Sequence, residues 1–191
     1  MKLNNKRTIL VGLAFLSICA FWQMYDSIVP LILTKTFHMN ETFSGAIMAA
    51  DNILALFLLP FFGSVSDKSH SKLGKRMPFI LFGTGCAIIL MNILPLLDNS
   101  YAAQPSGFKT ASFVIVLGLL LVAMGTYRAP AVALMPDVTP KPLRSRANAI
   151  INLMGAVGGI LYLGVAAVLY PNSKTAGLDH VNYQPLFIVV S

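Results

Sequence analysis

The chain has 191 residues, 56% of them hydrophobic and only 11% charged, with a mean hydropathy of +0.73 and a formal net charge of +7. So little polar surface excludes an ordinary soluble domain of this length and points to lipid as the solvent. The positive charge does not describe a nucleic-acid interface, because the lysines and arginines alternate with apolar runs and never gather on one face.

A bilayer-spanning helix needs about 20 apolar residues. The first such run covers residues 8–33, behind a basic start of Lys2, Lys6 and Arg7. That start, with Leu16, Ser17, Ile18 and Cys19, has the outline of a processed signal. Ile18 is too large for the position before a processed cysteine, however, and the apolar stretch continues well past it, so a retained helix is expected. Further runs lie at 43–65, 77–97, 111–135 and 147–170, and a partial one begins near Pro185 and stops at Ser191. Free backbone amides and carbonyls find no partners in lipid, so these runs must be helices. Between the third and fourth, residues 98–110 carry Asp98, Asn99, Ser100, Pro105 and Gly107 and read as a turn-forming outer loop.

Orientation follows from the bases. With the amino terminus in the cytoplasm, the internal segments hold Lys2, Lys6, Arg7, Lys68, Lys72, Lys75, Arg76, Lys141, Arg144 and Arg146, ten of the fourteen basic residues. The outer loops hold Lys35, Lys109 and Lys174, and Arg128 lies within a run. The positive-inside rule therefore favours a multi-pass cell-membrane protein with a cytoplasmic amino terminus, the bacterial inner membrane being preferred because the loops are short. Cys19 and Cys86 fall inside helices and read as reduced packing residues. His38, His70 and His180 sit in separate loops, so no metal or cofactor is expected. No triad, phosphate loop or metal spacing supports an enzyme.

The two internal loops, 66–76 and 136–146, share a pattern of Asp second, Leu eighth and Arg last. Asp67 and Asp137 close helices at the end where the dipole disfavours an acid, and nearby bases offset that penalty. The segment from Gly63 through Ser66, Asp67 and Lys68 to Gly74, Lys75, Arg76, Pro78, Phe79 and Ile80 resembles the loop between helices 2 and 3 of major facilitator transporters. Its detail is similar to the sucrose transporters and the glycoside–pentoside–hexuronide:cation symporters. Leu134 to Asp137, followed by Arg144, Arg146, Ala147 and Asn148, resembles the sucrose transporters' connection between helices 4 and 5.

The resemblance implies an all-α membrane fold: the amino-terminal six-helix half of a twelve-helix major facilitator, cut within helix 6, with the carboxyl-terminal half missing. It implies alternating access about a midplane site. The implied partners are a small-molecule solute, a sugar or glycoside, with H+ or Na+, the bilayer and the absent half; no nucleic acid. Asp67 with Lys75 and Arg76 is expected to bias the inward–outward equilibrium, beside Gly63, Gly74, Asp137, Arg144 and Arg146.

An ionisable group within a span marks function by default. Asp26, Asp51 and Arg128 are such groups. At 1.5 Å per residue the two acids lie about 12 Å below the outer surface and Arg128 about 13 Å deeper, so water or solute is expected between them. Trp22 and Asp26 are four residues apart on one helix face, with Gln23 and Tyr25 close by. An aromatic ring beside a carboxylate and an amide suits a sugar's C–H face and hydroxyls. Lipid or interface contact is the plainer reading of Trp22. Asp51 and Asn52 lie in helix 2, where the symporters of the resembling group carry cation-binding acids, but those positions fall on Ala55 and Leu59 here. That departure favours protons over sodium. Arg128 can clamp a hydroxyl or carboxylate or balance an acid. Pro130 and Pro136 are expected to bend the helix after it, and Gly155 and Gly159 to allow close helix packing. A drug or metabolite exporter of the same superfamily, a non-transporting sensor and a non-functional gene fragment are the rival readings.

Overall fold

Each apolar run is a helix in the computed structural model, and each extends into polar flanks that hydropathy alone had left outside. The structure describes residues 5–71, 74–175 and 177–191, with the side chains of residues 5–7 and 172 outside that description. The sequence expectations that rest on Lys2, Lys6, Arg7, Lys72 and Leu73 therefore fall outside the described main chain or side chains.

Helix α1 (Asn5–Leu31) runs into a π-helical turn, Ile32–Thr36, closed by the Phe37 amide donating to the Ile32 carbonyl at 3.1 Å. The wider turn buries Ile32, Leu33 and Thr36 together. Helix α2 (Glu41–Lys68) starts at Asn40, whose side-chain oxygen accepts from the Thr42 amide at 3.2 Å, with Glu41 in the first turn where an acid complements the dipole. Helix α3 (Met77–Ala103) begins with Pro78 in its first turn, a position that needs no backbone donor. Helix α4 (Gly107–Val138) is followed by a 3-10 turn, Lys141–Leu143, and by α5 (Arg144–Leu169). Two short helices, α6 (Asn172–Thr175) and α7 (Gln184–Val190), complete the described chain.

One sequence expectation changes. Residues 98–110 are not a loop: α3 continues to Ala103, α4 begins at Gly107, and only residues 104–106 connect them. The Lys109 ammonium donates to the carbonyls of Ser100 (2.8 Å) and Gln104 (2.9 Å), so a cation satisfies terminal carbonyls that turn-forming residues would otherwise leave to water. Helix α4 carries Pro130 and Pro136 inside it and stays helical through both. Burial of Pro130, Ala131 and Met135 against the other helices holds the segment in place despite the missing donors.

The helices alternate in direction. One end of the bundle collects the start of α1 with the α2–α3 and α4–α5 connections; the far end collects the π turn, the α3–α4 connection and the segment before α7. Helix α1 packs chiefly on α5, α3 on α4, and α2 on α4. Small residues set the closest approaches. A Cβ on Gly83 would come within 2.9 Å of Tyr127 Cβ, and one on Gly158 would overlap the Leu16 backbone. The core holds Met24, Leu94, Phe113, Leu117 and Leu120, and α7 inserts Leu186 and Phe187 into it. Helices α1 to α5, α1 taken with its π turn, are each long and apolar enough to cross a membrane. Helix α2 is the least buried, presenting Ile53, Leu56, Phe57 and Phe61 outward.

Candidate functional site

Polar side chains meet between α1, α2 and α4. Trp22, Asp26, Asp51, Asn52, Ala55 and Arg128 line a cavity of about 220 Å³. Its apolar continuation is formed by Leu54, Leu58, Leu59, Leu121 and Gly125, where the absent Gly125 side chain lets Leu58 approach. Asp51 is buried at 5% exposure, whereas Asp26 and Asn52 are exposed. The Arg128 guanidinium lies over the Trp22 ring, its carbon 4.8 Å from the ring centroid, which is cation–π contact. No carboxylate lies within ion-pairing distance of Arg128 among the described residues. The depth difference expected from helix counting is thus spanned by the long arginine stem and the indole, which reach one cavity from different turns. The Asn52 amide donates back to the Met48 carbonyl at 3.2 Å.

Two candidates face elsewhere. Tyr25 is 1% exposed and packs on Phe21 and Trp22, with its hydroxyl toward Asp51; it does not line the cavity. Gln23 points to α5, where its oxygen would be 3.8 Å from a Cβ on Gly159. Being three residues from Asp26 was a weaker guide than the tight α1–α5 seam, which captures Gln23. Ala55 and Leu59 do face the cavity wall, without an acid on either.

At the end of the bundle where α1 starts, one arginine serves both acids. Arg76 Nη2 lies 2.8 Å from Asp67 Oδ1, and its Nε donates to Asp137 Oδ2 at 2.5 Å. Its Nη1 also donates to Ser66 Oγ at 3.3 Å, and Ser66 Oγ in turn donates to the Gly63 carbonyl. The loops at first sight solve two similar local problems; they share one cation instead. Neither loop's own spacing could reveal that bridge, because each acid already has bases close by in its own loop. Gly74 has φ +101°, the left-handed region that favours glycine. Arg144 turns back to the carbonyls of Pro136 (2.8 Å) and Thr139 (3.4 Å), completing the end of α4. Lys75 lines the same open cleft and Arg146 is exposed.

Arg76→Ala is expected to lower stability by about 1–2 kcal/mol, since exposed ion pairs contribute up to about 1 kcal/mol each and Arg76 makes two. Arg76→Lys should recover less than half of that, because an ammonium cannot present two edges to two acids. Thermal unfolding in detergent measures both.

A polytopic, all-α membrane protein with a charged cavity between its helices is the class defined by these features. The chain belongs to the major facilitator superfamily, whose family model matches residues 11–190. It is 35% identical over 158 residues to the sucrose transport protein SUC3 of Arabidopsis thaliana, covering 76% of this chain and 26% of that protein. It is 36% identical over 154 residues to the sucrose transport protein SUT3 of Oryza sativa subsp. indica, covering 73% and 30%. Over 179 residues it is 25% identical to the alpha-ketoglutarate permease of Escherichia coli (strain K12), covering 92% and 38%. The chain thus spans between 26% and 38% of the length of these relatives. No solved structure matches it.

Proposed function

We propose that this chain is the amino-terminal half of a secondary active transporter that takes up a sugar or glycoside in symport with protons. Its amino terminus lies in the cytoplasm, and a carboxyl-terminal half supplies the facing wall. The observation that carries the reading is the cavity in which Trp22 lies beside Asp26, Asp51, Asn52 and Arg128. An aromatic face ringed by polar groups suits a sugar's apolar C–H surface and its hydroxyls. Ala55 and Leu59, where the cation-binding acids of related symporters would fall, offer no oxygen for sodium. Asp51, buried and beside Tyr25, is the proton carrier; Asp26 and Asn52 bind solute hydroxyls, and Arg128 balances whichever acid is ionised. Arg76, joining the two internal connections, holds one end of the bundle closed and yields when the halves rock.

Arg128 also supports a second reading. A guanidinium without a carboxylate partner suits a carboxylate solute, and the alpha-ketoglutarate permease is among the relatives. Expression of the complete reading frame in an uptake-deficient host separates these. Glycoside accumulation that collapses with the proton gradient supports the first; accumulation of a dicarboxylate alone supports the second; no accumulation of either overturns both. Asp51→Asn is expected to abolish concentrative uptake while retaining at least a third of the downhill exchange. Proteoliposome uptake with and without an imposed proton gradient checks this.

A further inference from the structure

A second polar cluster lies at the far end of the bundle, away from the cavity. Asp98 on α3 is 0% exposed, and neither carboxylate oxygen has a hydrogen-bond partner of normal geometry, the Thr36 hydroxyl being the donor that faces it. His180, in the segment between α6 and α7, places Nδ1 3.8 Å from Asp98 Oδ2 and 3.2 Å from Thr36 Oγ1 of the π turn. Its Nε2 lies 3.0 Å from Asn99 Oδ1.

The surrounding hydrogen bonds fix where the hydrogens are. The Gln184 backbone N–H can only donate, and it reaches Asn182 Oδ1 at 3.0 Å, so that atom is the amide oxygen. The same oxygen accepts from Asn99 Nδ2 at 3.0 Å, which makes the other Asn99 atom an acceptor. His180 Nε2 must then carry a hydrogen to satisfy Asn99 Oδ1. The ring's tautomer is thereby set by a backbone amide at the other end of a chain of three hydrogen bonds. One variable proton remains, at Nδ1 or on the carboxylate.

We propose that Asp98 and His180 hold one exchangeable proton between them, forming a proton-binding site separate from the cavity that clamps the segment before α7 onto α1 and α3. With the proton bound, the pair is neutral overall, as imidazolium with carboxylate or as imidazole with carboxylic acid. Once the proton has left to water from His180 Nδ1 or Asp98, an unpaired anion remains where no carboxylate surface meets solvent. Burying such a charge is costly, and the segment carrying His180 releases to hydrate it. The clamp is therefore intact at low pH and lost as pH rises. Other groups around the pair do not replace the proton. Tyr162 and Tyr170 of the α5 side and Tyr183 are neutral phenols, and Tyr170 donates to the Asn182 carbonyl at 2.8 Å. Lys109 of α4 is held by the Ser100 and Gln104 carbonyls. Lys35, His38 and Asp179 are exposed to solvent, which screens them. This inference does not depend on what the protein transports.

The test uses the protein in lipid nanodiscs. Infrared difference spectra across a pH titration follow the carboxyl of Asp98. In parallel, a spin label at Leu178→Cys, an exposed position in the segment, with Cys19 and Cys86 replaced by serine, reports its mobility. A carboxyl band and a rise in mobility with one common midpoint are expected. D98N should abolish the band and keep the label immobile throughout, because the amide is neutral at every pH. H180Q should move the band and mobility midpoints together. The proposal is overturned if the band survives D98N, if H180Q leaves its midpoint unchanged, or if the two midpoints separate. Should D98N fail to assemble, H180Q alone decides by the same criteria.

Discussion

Replacing Arg128 by leucine is expected to cut solute uptake at least 100-fold without loss of protein from the membrane. The cavity holds two carboxylates, Asp26 and Asp51, and Arg128 is the cation that lines it with them. Removing the cation leaves acids that must stay protonated or remain unbalanced, and it takes away charged hydrogen bonds to the solute, worth about 1.5–3 kcal/mol each. A loss of about 3 kcal/mol at the transport transition state corresponds to a little over 100-fold. Arg128→Lys keeps the charge but loses the flat stacking surface that lies over Trp22, and should cost about tenfold. Trp22→Ala removes the other half of that stack and should raise the apparent KM about tenfold while sparing the maximal rate more than Arg128→Leu does. Initial rates in proteoliposomes, normalised to inserted protein, distinguish the three. Uptake by Arg128→Leu above half the unmodified rate would remove Arg128 from the proposed mechanism.

What the sequence revealed and what it hid divide along a physical line. Spans could be read because hydropathy is a local property: an apolar run of sufficient length has one solution in lipid. Asp26, Asp51 and Arg128 could be picked out for the same reason, each being a charge amid apolar neighbours. Which way a side chain faces is not local. Gln23 shares a helix turn with the cavity residues, yet the glycine seam with α5 claims it; Tyr25 adjoins Asp26 but fills the core. Asp98 was invisible because Asn99, Ser100 and the following polar residues look like a turn, and only Lys109, nine positions on from Ser100, shows how the helix is completed. The bridge from Arg76 to Asp67 and Asp137 joins residues 61 apart at its longer arm and has no signature in either loop alone. The parallel between those loops was nonetheless a true sign of a shared electrostatic need.

The largest stability effect is expected at Gly158. Helix α1 lies so close to α5 that a Cβ on Gly158 would overlap the carbonyl oxygen of Leu16 and come within 2.9 Å of the carbonyl carbon. Those atoms are backbone and cannot rotate aside, so the helices themselves must separate. Gly158→Ala should cost about 3 kcal/mol, the upper part of the range for overpacking, and Gly158→Leu should prevent accumulation of folded protein. Gly155 supplies the contrast. Its added Cβ would meet Cys19 Sγ at 2.8 Å, the end of a side chain, so Gly155→Ala should cost about 1 kcal/mol and be rescued by Cys19→Ala. Gly164, also on α5, has nothing within 4 Å of the added atom, and Gly164→Ala should stabilise by about 0.5–1 kcal/mol through helix propensity. Thermal unfolding of the four variants in one detergent gives the ordering. No substitution of the Leu16 side chain can rescue Gly158→Ala, because the obstacle is main chain. Rescue by Leu16→Ala would mean that side chains, and not backbone contact, set the distance between α1 and α5.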